Sequence, residues 1–197
     1  MKRWILACAL ALSACGQQAE QKQDEFPVVE APNYNASIGP TGAAGISNPL
    51  PMTVEAVRAV AASYVVAQVD DQVEGEAFKA ITLSAGDEEV FRIFPTADRN
   101  RIHSIVTRSP QARGPTEDIV GVATFALAPA DQVRFCSAEL FDGSAGFACS
   151  TAEGGNFWRV YRVPEGYDGP SDPFDAIDPD VLHDSTLVEM RWIAPRA

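Results

Sequence analysis

The chain has 197 residues, 46% of them hydrophobic and 21% charged, with a formal net charge of −12 and a sequence pI of about 4.5. That is enough for one domain of about 100–200 residues with its own core, and too little for a large two-domain enzyme. The apolar content excludes a wholly disordered chain, and the acidity excludes nucleic acid as a partner because no basic patch survives it. No apolar run reaches the roughly 18 residues of a membrane-spanning helix.

Met1-Lys2-Arg3 is followed by an unbroken apolar run from Trp4 to Leu12, then by Ser13, Ala14 and Cys15. A positive start, an apolar middle and small residues at the end make a secretory signal. Leu12-Ser13-Ala14-Cys15 resembles the bacterial lipobox, which is cut just before its cysteine. The resemblance implies that residues 1–14 are a lipoprotein signal peptide and that Cys15 becomes an acylated N-terminus. Two or more acyl chains, at about 0.8 kcal/mol per buried methylene, anchor a protein stably. An ordinary cleaved signal with a chance cysteine is the alternative. In such lipoproteins an Asp after the cysteine favours the inner membrane, so Gly16 implies the outer membrane, on its periplasmic face. Processing removes two of the 15 basic residues and none of the 27 acids, taking the net charge to −14. It also discards Cys8 and acylates Cys15, leaving Cys136 and Cys149 as the free thiols. In an oxidising compartment a disulfide between them is expected. A redox pair would use C-x-x-C spacing, whereas twelve residues intervene here.

Gln17–Glu25 holds Gln and acids without apolar periodicity, and Phe26–Pro40 adds three prolines with scattered Asn and Ser. Residues 15–43 therefore read as a lipidated flexible tether, with a coil reach of about 30 Å. Whether Phe26–Ile38 docks on the domain through Phe26, Val28 and Val29 stays open. A single domain is expected over 44–197. It starts with a short helix over Met52–Ala62, N-capped by Thr53 and burying Val54, Val57, Val60 and Ala61. The period then changes to two. Strands are predicted at Tyr64–Val69, Ala77–Leu83, Val90–Phe94 and Ile102–Thr107, joined by turns at Ser84–Asp87 and Ala97–Asn100. Ser109–Glu117 is a loop, and a helix starting at Ala128 with Pro129 in its first turn is predicted next. Further strands follow at Phe147–Ser150 and Phe157–Val163, then an Asp/Pro/Gly loop from Pro164 to Asp184. The last strand is Thr186–Ile193, whose Val188, Met190 and Trp192 alternate with Glu189 and Arg191. There is no internal repeat. The fold class expected is α+β: an antiparallel sheet of about seven strands with one or two short helices on one face.

Candidate chemistry is sparse. Asp168, Asp172, Asp175, Asp178, Asp180 and Asp184 fall within one loop, and calcium takes six to eight oxygen ligands. The EF-hand spacing is missing, and Pro170, Pro173 and Pro179 favour an extended surface loop over a cage. Gly143-Ser144-Ala145-Gly146 is not the G-x-S-x-G elbow. His103 and His183 are the only histidines. The first lies on a predicted strand with Ile105 and Thr107, and the second has acidic neighbours in Asp180 and Asp184. Neither has a nameable nucleophile, and two isolated histidines do not close a zinc site. No catalytic residue, metal or cofactor is therefore expected.

From Gly45 to Trp192, the early helix, the meander, Gly121-x-x-Thr124-Phe125, Cys136, Cys149, the aromatic strand Phe157–Val163, Gly169-Pro170 and Asp180-x-Leu182 stand in order. This succession resembles a small family of envelope-stress (sigma-E) regulated lipoproteins of Gram-negative bacteria. Pro129 and the long acidic loop depart from its pattern. The family has no assigned molecular activity. The resemblance supports the lipoprotein class and the disulfide and transfers no catalytic residue. The function expected is that of a lipid-anchored periplasmic domain with a binding or structural role, not an enzyme. The partners expected are the membrane, through the N-terminal lipid, and an envelope protein of unknown identity. The alternative is an envelope hydrolase, or an inhibitor of one.

Overall fold

Apolar and polar residues alternate between turns in most of this chain, and strands result. The computed structural model describes residues 33–73, 75–167 and 179–195. Among these, β1 (Ile38–Gly39) and β2 (Gly42–Ala43) pair only with each other. The others are β3 (Val65–Val73), β4 (Glu76–Ala85), β5 (Glu88–Pro95), β6 (Ile102–Thr107), β7 (Phe135–Phe141), β8 (Ser144–Ser150), β9 (Phe157–Arg162) and β10 (Thr186–Ile193). They form one eight-stranded sheet in the order β3-β4-β5-β6-β10-β9-β8-β7, antiparallel throughout. Two four-stranded meanders thus meet along their last strands, with Thr107 of β6 opposite Met190 of β10.

Among the described residues the fold is mostly β, with ten strands in two sheets rather than about seven. The strands not foreseen are β1, β2 and β7. Helices are α1 (Val54–Val60), α2 (Pro179–Asp184) and a 3-10 turn at Phe125–Leu127. At α1 the expected cap is present: Thr53 Oγ1 accepts the Ala56 N–H at 3.2 Å. Val57 is buried, but Val60 is 45% exposed rather than in the core. The helix predicted from Ala128 does not form. Ala128 is extended (φ −70°, ψ 134°), as the residue before a proline is driven out of the helical region. In the acidic loop, Asp180 and Asp184 lie on α2, while Asp168, Asp172, Asp175, Asp178, Pro170 and Pro173 lie outside the described residues.

One face of the sheet makes the core. In register across β4, β5, β6, β10 and β9, Ile81, Ile93, Ile105, Trp192 and Phe157 form a continuous apolar row. The first four are at most 1% exposed, and each such side chain contributes about 1.5–3 kcal/mol through burial. A bulge between Leu187 and Glu189 resets β10, so that Leu187, Met190 and Trp192 face this core. Val188, expected inside with them, packs on the outer face with Phe141, Ala148 and Val160.

Residues 33–43, placed in the tether by their composition, belong to this fold. Tyr34 packs on Tyr64 with ring centroids 4.9 Å apart, and Tyr64 Oη donates to the Asn35 carbonyl at 2.7 Å. The Ile38 N–H donates to the Arg113 carbonyl at 3.0 Å, and the Arg113 N–H to the Ala36 carbonyl at 2.9 Å. Phe26, Val28 and Val29 lie outside the described residues.

Burial pushes the phenols of Tyr34, Tyr64 and Tyr161 above their ordinary value of 10.0. A group raised in the folded state contributes stability that is complete below its unfolded value and is lost as pH climbs toward its folded value. The thermal midpoint should therefore fall steeply above pH 10, and Tyr161→Phe should lessen that fall. An equal alkaline fall in wild type and Tyr161→Phe would show that Tyr161 does not contribute.

Candidate functional site: a charged groove on the outer face

Among the described residues, the face opposite the core carries no helix packed across it as the core face does. A groove of about 1120 Å³ runs across β3, β4, β5, β6 and β10 on that side. Phe78 and Phe94 form an aromatic pair in it, with ring centroids 6.0 Å apart. Beside them, Arg92 of β5 and Arg191 of β10 stand in register on either side of Val106 of β6. Strand alternation explains the placement: Arg92 lies between core-facing Phe91 and Ile93, and Arg191 between Met190 and Trp192.

Each arginine is tied down. Arg92 donates to Glu89 through Nε (2.7 Å) and Nη2 (2.8 Å), a forked pairing, and through Nη1 to Asp71 at 2.8 Å. These bonds, Glu89 foremost, outweigh desolvation and hold Arg92 more firmly protonated than a free guanidinium. Across Val106, the Glu189 side chain is only 4% exposed and sits between two cations. Arg108 Nε donates to it at 2.9 Å and Arg191 Nη2 at 2.6 Å, while Arg191 Nη2 also reaches Glu139 of β7 at 2.8 Å. Desolvation opposes the Arg191 charge, but the two carboxylates prevail and raise its pKa. Arg108 also lies over the Phe141 ring, 4.5 Å from its centroid. The groove is thus bordered by two preorganised charge clusters whose positive charge is matched by carboxylate.

The cysteine pair is joined: Cys136 and Cys149 stand directly opposite on β7 and β8 and form a disulfide. Cys15 lies outside the described residues. His103 and Ser104 both border the groove, at a bulge where Ile102 pairs with Pro95 and Ser104 with Phe94, leaving His103 unpaired in the ladder. His183 is exposed on α2. Gly143 belongs to the β7–β8 turn and Ser144 opens β8, so no nucleophile elbow forms there. Among the described residues no group of three His, Cys, Asp or Glu side chains is placed to hold a metal ion, and no helix is long and apolar enough to cross a membrane.

Sequence reasoning missed a buried pair under the core face. Arg159 of β9 is 1% exposed and donates to Asp118 Oδ2 through Nε (3.0 Å) and Nη2 (2.8 Å), and through Nη2 to Gln132 Oε1 at 2.5 Å. Its guanidinium stacks over Phe157 at 4.8 Å. Gly114 permits this approach, since a Cβ there would lie 2.5 Å from Asp118 Oδ2. The signal was readable: Arg159 shares the parity of Phe157 and Tyr161, which marks it as pointing inward.

Compared with known proteins, the chain matches no family model and no curated protein. Among solved structures it is similar to the uncharacterized protein YfeY from Escherichia coli. The TM-score is 0.55 at 17% identity, over 80% of this chain and 99% of that one. At that identity the likeness speaks for the fold alone. No family match supports the resemblance to sigma-E regulated lipoproteins.

Proposed function

We propose that this chain is a binding domain of the bacterial cell envelope, held on the periplasmic face of the outer membrane by acylated Cys15, with the outer-face groove as its recognition surface. The observation that carries the reading is the groove itself, a concavity with an aromatic pair and polar groups fixed before any ligand arrives. Its arginines already face Asp71, Glu89, Glu139 and Glu189, so a purely anionic ligand would have to displace those carboxylates. Together with the net charge of −12, this favours a neutral or basic segment of another envelope protein.

Two measurements test the proposal. Cys15→Ser should block maturation and move the protein out of the detergent phase; a variant that is cleaved normally and still partitions with lipid would refute the anchor. A photo-crosslinking residue at Phe94, in the groove, should give a discrete adduct in cells. The same residue at Glu55, on α1 on the covered side, should give none. Equal labelling from both positions, or none from Phe94, would remove the groove from consideration.

A further inference from the structure

The two edge strands of the eight-stranded sheet differ among the described residues. β3 carries Asp70 and Asp71, and Arg58 Nη2 reaches the Val66 carbonyl at 3.4 Å. Charged side chains and occupied backbone groups keep an edge from recruiting another strand. β7 carries less of both: one charge against the two of β3, and among the described residues no side chain bonded to its backbone. Its sequence, Phe-Cys-Ser-Ala-Glu-Leu-Phe, holds no Lys or Pro, pairs with β8 without a bulge, and leaves Leu140 70% exposed. Its one charge, Glu139, is bonded to Arg191 within the sheet.

The geometry of the cysteine pair fixes which backbone groups β7 offers. Opposed residues in an antiparallel pair alternate between hydrogen-bonded positions about 5.5 Å apart and non-hydrogen-bonded positions about 4.5 Å apart at Cα. Cys136 and Cys149 are 4.1 Å apart and belong to the second kind. Cys136, Ala138 and Leu140 therefore turn their N–H and C=O groups away from β8, toward the free edge.

We propose that β7 pairs antiparallel with β7 of a second copy of this chain, about a twofold axis through Ala138. In that register Ala138 faces Ala138 of the second copy, and Cys136 faces its Leu140. Those are the outward residues, so every outward N–H and C=O from 136 to 140 gains a partner. Ser137 falls opposite Glu139, so no like charges meet, and Phe135 falls opposite Phe141 on the outer face. Sliding the pairing by one residue would set outward groups against inward ones and turn the side chains to the wrong face. The strand is complementary to itself in hydrogen-bond phase, charge and apolar surface, as an isologous interface requires.

Sedimentation of the full chain in detergent tests this. The expected protein mass is twice that of one mature chain. Ala138→Pro should give a monomer with its disulfide and thermal midpoint retained, because the N–H it removes faces the free edge. Ser137→Glu, which sets like charges opposite at two places, should weaken self-association at least about tenfold, whereas Ser137→Lys should not. A chain that stays monomeric at about 100 µM would overturn the proposal. So would a dimer unmoved by both Ala138→Pro and Ser137→Glu, or a free edge occupied by a different protein in place of the second copy.

Discussion

Asp118→Ala is expected to cost the domain about 3–5 kcal/mol, the range for removing one partner of a buried ion pair. The cost comes less from the lost attraction than from what remains. Arg159 is 1% exposed, and without Asp118 its guanidinium would keep, among the described residues, the Gln132 side-chain carbonyl and the Phe157 ring in a buried site. For a domain of about 150 residues, each kcal/mol moves the thermal midpoint by roughly 2–4 °C, so a fall of about 6–20 °C should be seen. Asp118 also anchors its own loop: its backbone carbonyl accepts the Gly114 N–H at 3.0 Å, and Thr116 Oγ1 donates to its side chain at 2.7 Å. A double-mutant cycle separates the two roles. Asp118→Ala with Arg159→Met removes the stranded charge and should recover most of the loss. If the double variant loses the sum of the two single losses, the pair is not coupled and Asp118 acts through its loop alone.

The meander was legible because it is local. Strands β3 to β6 and β8 to β10 lie close to where alternation and turn residues put them, and β6 and β10 match residue for residue. β7 was hidden because edge strands bury little, and its exposed Ser137, Ala138 and Leu140 blur the alternation. Its turn was the better signal: Asp142 (φ 48°) and Gly143 (φ 78°) are both left-handed, as Asp-Gly in a two-residue hairpin demands. The bulge that turns Val188 outward has no mark in an otherwise regular alternation. Tyr34 and Ile38 looked like linker because their partners, Tyr64 and Arg113, lie far along the chain.

The groove was illegible for a related reason. Its clusters join residues 52 positions apart (Arg191 and Glu139) and 81 apart (Arg108 and Glu189), brought together only because the two meanders share the β6–β10 seam. Each acid and base taken singly reads as surface charge. Only the pairing of Arg92 and Arg191 across Val106 makes them two sides of one site.

Reducing the Cys136–Cys149 disulfide should lower the thermal midpoint by about 6–12 °C. The bond closes a loop of 13 residues in sequence separation, and a loop of about 15 residues restricts the unfolded chain by roughly 3 kcal/mol. At about 2–4 °C per kcal/mol that gives the stated shift. The bond also joins an edge strand to its single neighbour: within the eight-stranded sheet β7 pairs with β8 only, so its loss should be felt first there. Glu139, on β7, would loosen from Arg191 and carry the disorder into the second charge cluster of the groove. Amide exchange should accordingly quicken at Ser137 and Glu139, whose N–H groups face β8, before it quickens in β5 or β6. Thiol titration of denatured, unreduced protein recovered from an oxidising compartment should find Cys136 and Cys149 blocked. Two free thiols per chain, or a midpoint indifferent to reductant, would mean that β7 is held by its hydrogen bonds to β8 and the Glu139–Arg191 pair alone.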